Sequence, residues 1–160
     1  MQTGDICIRQ ALHSDMDYIL EELKRFSEFF ISEKSMYPKD DAVAAKIVGD
    51  FIDNHLFLMA DRSYQDKYGE AVEPVGFIAG FITPHFFNPD LIQLTELFWW
   101  VGHKWRQTGA GRELMNAFVA FGKDNCDFIT VTLQENSQIE ESSVLGYGFK
   151  ALERGYFMEV

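Results

Sequence analysis

The stretch that decides the fold reads Val-Gly-His-Lys-Trp-Arg-Gln-Thr-Gly-Ala-Gly-Arg and spans residues 101–112. It follows the most apolar segment of the chain, Ile92 to Val101, which predicts a buried strand, and it leads into a helical pattern from Gly109 to about Asn125. Small residues between a strand and a helix let backbone N–H groups approach an anion, and the start of a helix favours negative charge. We therefore expect a phosphate-bearing ligand at this loop, although two glycines alone would also suit a simple turn.

The distribution of charge points to the same place. The 160 residues carry a formal net charge of −11, which argues against a general nucleic-acid binder because affinity for phosphates rests on Lys and Arg. Between residues 97 and 123, however, a single acid stands against four bases, which are Lys104, Arg106, Arg112 and Lys123. Residues 1–74 instead carry an excess of negative charge, with 15 acids and 8 bases. We expect the anionic ligand at the basic loop, and cationic partners or simply good solubility from the rest.

Other classes of protein find little support in the sequence. No apolar run approaches the roughly 20 residues of a membrane helix, and no secretory signal opens the chain, so we expect no membrane and a cytoplasmic location. Cys7 and Cys126 could form one disulfide, but we expect free thiols. We also expect no metal, because metal-ligand spacing with Cys or acids is lacking around all four histidines, residues 13, 55, 85 and 103.

The hydrophobic pattern predicts a mixed α/β domain over residues 1–160, because strand and helix patterns alternate along the chain. Residues 62–74 read as a polar loop, and the last ten residues as one or two strands. The remaining predicted elements are strands at 6–9, 56–60, 75–83, 92–101 and 128–133, and helices at 14–26, 38–51, 109–125 and 139–145.

Two common phosphate motifs do not fit the loop. A dinucleotide fingerprint needs Gly or Ala where Leu114 stands, and the Gly-Lys-Ser/Thr of a P-loop is absent. The loop instead resembles the GNAT superfamily of N-acetyltransferases, whose signature of Arg or Gln, two residues, Gly, one residue and Gly or Ala is matched by Arg106, Gly109 and Gly111. The order of elements matches over nearly the whole chain. The strand ending Glu-Leu-Phe-Trp-Trp-Val is also similar to acetyltransferase-like proteins of tailed phages.

This resemblance implies an α/β fold with a mixed central sheet of six or seven strands and about four helices. It implies direct transfer of an acetyl group from acetyl-CoA, the cosubstrate, to a primary amine, with neither a metal nor a covalent intermediate. The loop amides would cradle the pyrophosphate, and the end of the preceding strand would pair with the pantetheine arm and polarise the thioester carbonyl. The implied cofactor-binding residues are Trp99, Trp100, Val101, Arg106, Gln107, Thr108, Gly109, Ala110, Gly111, Arg112 and Asn136, with Ser137 competing for the last role.

Glu96 is the candidate general base. An amine acceptor arrives mostly as ammonium, with a pKa of roughly 10.4 in water, and must lose a proton before it attacks a thioester. On a flat strand Glu96 would share its side with Leu94, Phe98 and Trp100, so desolvation would raise its pKa. The family often places a glutamate on this strand. The alternative is a strand-edge carboxylate paired with Lys or Arg.

The general acid is harder to assign. In the family a tyrosine of the helix before Gly-Phe often protonates the leaving thiolate, and here that position is Val144. Tyr147 lies three residues later and is a weak candidate for the acid, with a packing role as the alternative. The departure at Val144 supports a second reading, a non-catalytic acyl-CoA-binding module on the same fold. A third reading, a purely structural protein, would leave the intact loop motif unexplained.

The resemblance and the composition together predict a class of acceptor and an assembly. The resemblance places the acceptor site among the first two helices, residues 62–74 and the final strands. The first of these regions is acidic, so we expect a cationic acceptor, which is a polyamine, an aminoglycoside-like amine, or a lysine or N-terminus of a protein. A neutral small amine is the alternative. Aromatic residues make up 15% of the chain, and the run from Tyr147 to Val160 is rich in large apolar side chains. We therefore expect a homodimer or another small oligomer.

Overall fold

A computed structural model describes residues 5–29, 32, 34–135, 137 and 139–160 of this chain. The described residues form five strands and four α-helices. In chain order these are β1 (Ile6–Gln10), α1 (Met16–Ser27), α2 (Asp41–Asn54), β2 (Leu56–Asp66), β3 (Gly69–Pro84), β4 (Ile92–Val101), α3 (Ala110–Asn125), β5 (Phe128–Thr130) and α4 (Glu141–Leu145).

The strands form one sheet in the order β1-β2-β3-β4-β5. The first four are antiparallel neighbours, and β5 joins β4 in parallel over residues 128–130. The mixed sheet predicted from the sequence is confirmed, but with five strands in the described residues where we expected six or seven.

Helices cover both faces of the sheet. On one face α3 packs against the core of β2, β3 and β4 through Leu114, Met115 and Phe118. The contact is close because a Cβ atom on Gly80 would lie 2.7 Å from the Phe118 ring, and one on Gly122 would lie 2.5 Å from Ile129. On the other face α1 and α2 cover a second core built around Phe57, Met59, Phe77 and Trp100.

Two predicted segments differ in the structure. Residues 62–74 are not a loop: β2 runs to Asp66 and β3 begins at Gly69, so most of the segment forms the outer part of a long hairpin. Its polar side chains reflect exposure on a two-stranded arm, and Gly69 supplies the positive φ of 127° that the turn requires.

The predicted C-terminal strands are also wrong. Residues 146–160 form no strand, and Leu152, Tyr156 and Met158 are 81%, 91% and 81% exposed. The aromatic and apolar side chains of the segment are common in strands, but a strand needs a neighbouring edge that takes its hydrogen bonds. The end of the chain instead contacts the segment after α1, where Ser32 Oγ donates to Glu159 at 3.0 Å and Lys34 Nζ donates to the Val160 carbonyl at 2.6 Å.

The cysteines and the helices concern two further predictions. Cys7 and Cys126 are both free thiols, as expected. None of the helices formed by the described residues is long and apolar enough to cross a membrane.

Candidate active site

A β-bulge in β4 sets the direction of the Glu96 side chain. Gly80 of β3 lies opposite Glu96, and the next residue, Ala79, lies opposite Phe98, so Leu97 is an extra residue with no partner on β3. As a result Glu96 stays on the α3 side of the sheet with Leu94, whereas Phe98 packs in the core under α1 and α2. The expectation that Glu96 shares its side with Phe98 and Trp100 is therefore wrong, because the alternation of a flat strand takes no account of an extra residue.

A cleft of about 650 Å³ opens where β4 and the chain after β5 separate. The parallel ladder ends at Thr95 and Thr130, and residues 131–134 carry no strand pairing. Glu96 and Leu97 line one wall of the cleft, and residues 132–134 line the other. The strand predicted to run to Leu133 thus stops at Thr130, because Thr132 turns its backbone N–H to the Glu96 carboxylate at 3.3 Å.

Glu96 has the burial that a tuned base requires. Its side chain lies in the cleft wall, the residue is 7% exposed, and no Lys or Arg of the described residues forms an ion pair with it. Burial raises the pKa of Glu96 to about 7, while the hydrogen bond from Thr132 acts in the opposite direction. A carboxyl group with such a pKa can take up a proton and release it again near neutral pH. The alternative of a strand-edge ion pair finds no support.

The loop after β4 is held in shape by hydrogen bonds that its backbone makes with β3 and with a side chain of the loop. The Gly102 N–H donates to the Val75 carbonyl at 2.9 Å, and a single 3₁₀ turn follows at His103–Trp105. The Thr108 hydroxyl donates to the Trp105 carbonyl at 2.6 Å. Gly109 then precedes α3 with a φ of 93°, a left-handed conformation that glycine adopts without strain. The sequence places a glycine where the turn into the helix requires one.

The start of α3 has the form of an anion site. The first backbone hydrogen bond of the helix runs from the Glu113 N–H to the Gly109 carbonyl at 3.0 Å. The N–H groups of Ala110, Gly111 and Arg112 come before this bond and belong to the open first turn of the helix. A Cβ atom on Gly111 would meet only side-chain atoms of Val101 and Trp99, at 3.6 and 3.7 Å. The fold therefore tolerates a side chain at Gly111. The space beside it, together with the helix dipole, suits a pyrophosphate group.

The chain matches a known protein family over most of its length. A family model described as the acetyltransferase (GNAT) family matches residues 16–140. The chain belongs to the GNAT family. A search of curated proteins found no similar sequence.

Solved structures share the GNAT fold along the full length of the chain. An acetyltransferase of Trypanosoma brucei is 20% identical with a TM-score of 0.69, and the match covers 98% of this chain and 100% of that one. A transcriptional regulator of Bacillus halodurans is 18% identical with a TM-score of 0.71, over 98% and 100% of the two chains. An aminoglycoside N-acetyltransferase in complex with CoA is 16% identical with a TM-score of 0.64, over 98% and 95%.

Arg106, the first residue of the GNAT signature, lies against aromatic rings inside the cleft. Its guanidinium carbon is 4.7 Å from the centroid of the Trp100 ring and 5.4 Å from that of Phe29. Its Nε donates to the Val101 carbonyl at 3.3 Å. The charge of Arg106 thus lies between the end of β4 and the end of α1.

The cleft brings together only part of the predicted cofactor set. Trp99 is tied to the helix start by its indole N–H, which donates to the Gly111 carbonyl at 3.2 Å. Thr108, Gly109, Ala110 and Arg112 belong to the same loop and helix start but do not line the cleft. Asn136 lies outside the described residues, whereas its competitor Ser137 does line the cleft. The predicted residues that line the GNAT cleft are Trp99, Trp100, Val101, Arg106, Gln107 and Gly111.

Tyr147, the weak candidate for the acid, lies against the start of α3 and does not line the cleft. Its hydroxyl donates to the Arg112 carbonyl at 3.5 Å, and the residue is absent from the cleft lining. Burial raises the pKa of the Tyr147 phenol, with Arg112 opposing that shift. Val144, at the position of the family's tyrosine, is buried in α4.

Sequence reasoning missed part of the cleft wall. Phe26 and Phe29 reach it from the end of α1, Trp105 reaches it from the 3₁₀ turn, and Thr132 reaches it from the chain after β5. The spacing of three residues between Phe26 and Phe29 could have indicated a shared helical face that continues past the predicted end of the helix. Nothing in the sequence pattern indicates that the backbone of Thr132 turns to Glu96.

Proposed function

We propose that this GNAT protein transfers the acetyl group of acetyl-CoA to a primary amine, with Glu96 as general base. One observation carries the proposal: a buried carboxyl group with a pKa raised to about 7 lines the same cleft as the helix start that suits a pyrophosphate. A general base works best when its pKa lies near the operating pH. The family supports the reaction class, and the cofactor and the catalytic residue are our assignment.

The loop and the helix start would hold coenzyme A. The N–H groups of residues 110–112 would bind the pyrophosphate, and Arg106 and Arg112 would add positive charge. The backbone from Leu97 to Val101 borders the cleft on the side that β5 leaves open, so it can pair with an extended pantetheine arm. Leu97 has no partner on β3, and we assign its N–H to the thioester carbonyl.

The acetyl group moves in one direct reaction. The acceptor ammonium gives one proton to Glu96, its nitrogen forms a bond to the acetyl carbon, and the carbon–sulfur bond breaks. The nitrogen loses its second proton, and the released thiolate takes one up. The products are an amide, free coenzyme A and one net proton. Solvent supplies the thiolate proton in this proposal, because the Tyr147 hydroxyl bonds to the Arg112 carbonyl and does not line the cleft.

A thiol-release assay with acetyl-CoA and a panel of primary amines tests the proposal. We expect release that depends on the amine and is matched by the acetylated amine in a mass spectrum. Acetyl-CoA should also raise the melting temperature, since a ligand that binds only the folded state stabilises it. Binding of acetyl-CoA without any amine-dependent release would contradict the assigned activity.

A non-catalytic acyl-CoA-binding module is the second candidate. The observation that favours it is the absence of a tyrosine at Val144, combined with the placement of Tyr147 outside the cleft lining. The same assay separates the two candidates, because a binding module shows the thermal shift without release of thiol.

For the setting of the protein we propose the cytoplasm and a homodimer. The two free thiols suit a reducing compartment. The exposed apolar side chains of residues 152–160 suit a contact with a second copy of the chain.

A further inference from the structure

The described lining of the cleft carries little charge. Among the described residues that line it, Glu96 and Arg106 are the only charged side chains. Burial of Glu96 favours its neutral form up to about pH 7. The described wall therefore presents at most one negative charge, beside one permanent positive charge, to an entering acceptor.

The described acidic residues of the first half of the chain lie outside the cleft lining, and several of them pair with Arg or Lys. Arg9 pairs with Asp15 at 2.7 Å and with Asp61 at 2.5 Å. Lys24 pairs with Asp41 at 2.8 Å. None of these carboxylates lines the cleft. Three more acids pair with bases, and none of these groups lines the cleft. Glu21 and Glu22 pair with Arg25, and Glu73 pairs with Arg62 and Lys104. Six of the 15 acids of residues 1–74 are thus held by Arg or Lys, and no described acid of that segment lines the cleft.

The end of α1 gives the cleft an aromatic wall. The centroid of the Trp100 ring lies 5.8 Å from that of Phe26 and 5.3 Å from that of Phe29, both in edge-to-face contacts. The Trp100 indole N–H donates to the buried Glu22 carboxylate at 2.6 Å, which fixes the plane of the ring. Leu97, Leu133 and Ile139 extend the apolar lining. Such a wall stabilises an apolar group by roughly 25 cal/mol for each Å² removed from water.

Aromatic faces can also bind cations, but this protein already places a cation there. The guanidinium of Arg106 lies over the rings of Trp100 and Phe29 at 4.7 and 5.4 Å. A second positive charge beside it would be repelled. The wall can therefore contact an acceptor through the apolar edges and surfaces of its rings.

We propose that the acceptor is a primary amine with a single positive charge on a flat, apolar body, and not a polyamine or an aminoglycoside. The amine would reach Glu96 while its apolar body packs against Phe26, Phe29 and Trp100. This inference rests on the proposed function, since it names the substrate class of the same cleft. It narrows the expectation of a cationic acceptor, which rested on the acidity of residues 1–74, and sets aside the polyamines and aminoglycoside-like amines that this expectation included.

Thiol release with matched amines tests this inference. We expect kcat/KM for 2-phenylethylamine to exceed that for ethylamine, which has the same ammonium group without the ring, by roughly 10- to 100-fold, the effect of burying one aromatic group. It should exceed the values for spermidine and sisomicin as well. Phe29→Ala should remove most of the preference over ethylamine, and Phe29→Tyr should retain it. Phe87→Ala is the matched control, because Phe87 is 87% exposed and does not line the cleft.

The thermal shift produced by acetyl-CoA should be present in all variants, which shows that they fold and bind the cosubstrate. Spermidine or sisomicin as the best acceptor, or an unchanged preference in Phe29→Ala, would overturn the inference and leave the proposed function intact. If no amine is acetylated, the proposed function fails, and binding alone decides the inference. In that case 2-phenylethylamine must raise the melting temperature of the CoA-bound protein more than spermidine does, and the reverse order rejects it.

Discussion

The Glu96 carboxylate accepts a hydrogen bond from the Thr132 backbone N–H at 3.3 Å, across the mouth of the gap between β4 and the chain after β5. This is the only hydrogen bond of the Glu96 side chain in the described residues. A single backbone donor is a weak counterweight to burial, so the carboxyl group holds its proton to about pH 7. The same contact fixes the direction of the carboxylate in the cleft.

The stability of the protein should depend on pH through Glu96. Its pKa is about 7 in the folded chain against a reference value of 4.5, so between these values the folded state binds more protons than the unfolded state. Stability therefore falls as pH rises from about 4.5 to 7, by up to about 3 kcal/mol from this group. Glu96→Gln removes the cost of ionisation, so its melting temperature relative to wild type should rise between pH 5 and pH 8. A difference in melting temperature that is constant across this range would contradict the raised pKa.

Gly111 should matter for the ligand and not for the fold. A Cβ atom there would make only ordinary contacts of 3.6 and 3.7 Å, so Gly111→Val should fold without ligand, and its own unfolding temperature is the baseline for the ligand shift. Its branched side chain would fill the space beside the helix start, and the shift caused by acetyl-CoA should be largely lost. Gly155→Ala is the control, because nothing lies within 4 Å of a Cβ atom at that exposed position. An undiminished shift in Gly111→Val would remove the loop from the cofactor site.

Gly109 should matter for the fold itself. Its φ of 93° is a conformation that L side chains rarely adopt, and a Cβ atom would otherwise meet only an Arg112 nitrogen at 3.7 Å. Gly109→Ala should therefore lower the free energy of unfolding by about 1–2 kcal/mol, which chemical denaturation can measure. A variant as stable as wild type would show that the turn into α3 relaxes without strain.

Tyr147→Phe tests whether the phenol takes part in the reaction. Its hydroxyl donates to the Arg112 carbonyl and the residue does not line the cleft, so we expect kcat to stay within about twofold of wild type, below the smallest usual effect of a general acid. A loss of about 100-fold or more in kcat, with acetyl-CoA binding unchanged, would instead assign Tyr147 as the acid.

Parts of the fold could be predicted because their signals are local. The glycine loop, the apolar strand before it and the helix after it form one continuous pattern, and the structure places them as expected. The outer hairpin of β2 and β3 was predicted as a loop because its polar residues pair through the backbone, which composition does not reveal. The last ten residues were predicted as strand because their aromatic and apolar side chains are common in strands, and composition does not show whether a partner edge exists.

The site shows the same limit. The sequence indicated that Glu96 is buried on an apolar strand, and its burial and its raised pKa follow that reasoning. It could not indicate the extra residue at Leu97, since a bulge inserts one residue without changing the apolar character of the strand. The aromatic wall from α1 was missed for a different reason. Phe29 lies 71 residues from Trp100 in the sequence, and only the packing of α1 on the sheet brings the two rings to 5.3 Å.

The measurement that tests the account most directly is acetyl transfer by Glu96→Gln as a function of pH. The wild type and the variant should show the same thermal shift with acetyl-CoA, because the cofactor contacts that we propose involve the backbone of residues 97–101, the loop and the helix start, and not the Glu96 side chain. With an amine that the wild type acetylates, the variant should be slower by roughly 10²–10⁴-fold near neutral pH, and part of the loss should be recovered as pH rises and more acceptor arrives neutral. Wild-type turnover by Glu96→Gln across pH 6 to 9 would contradict the account and remove Glu96 from the mechanism.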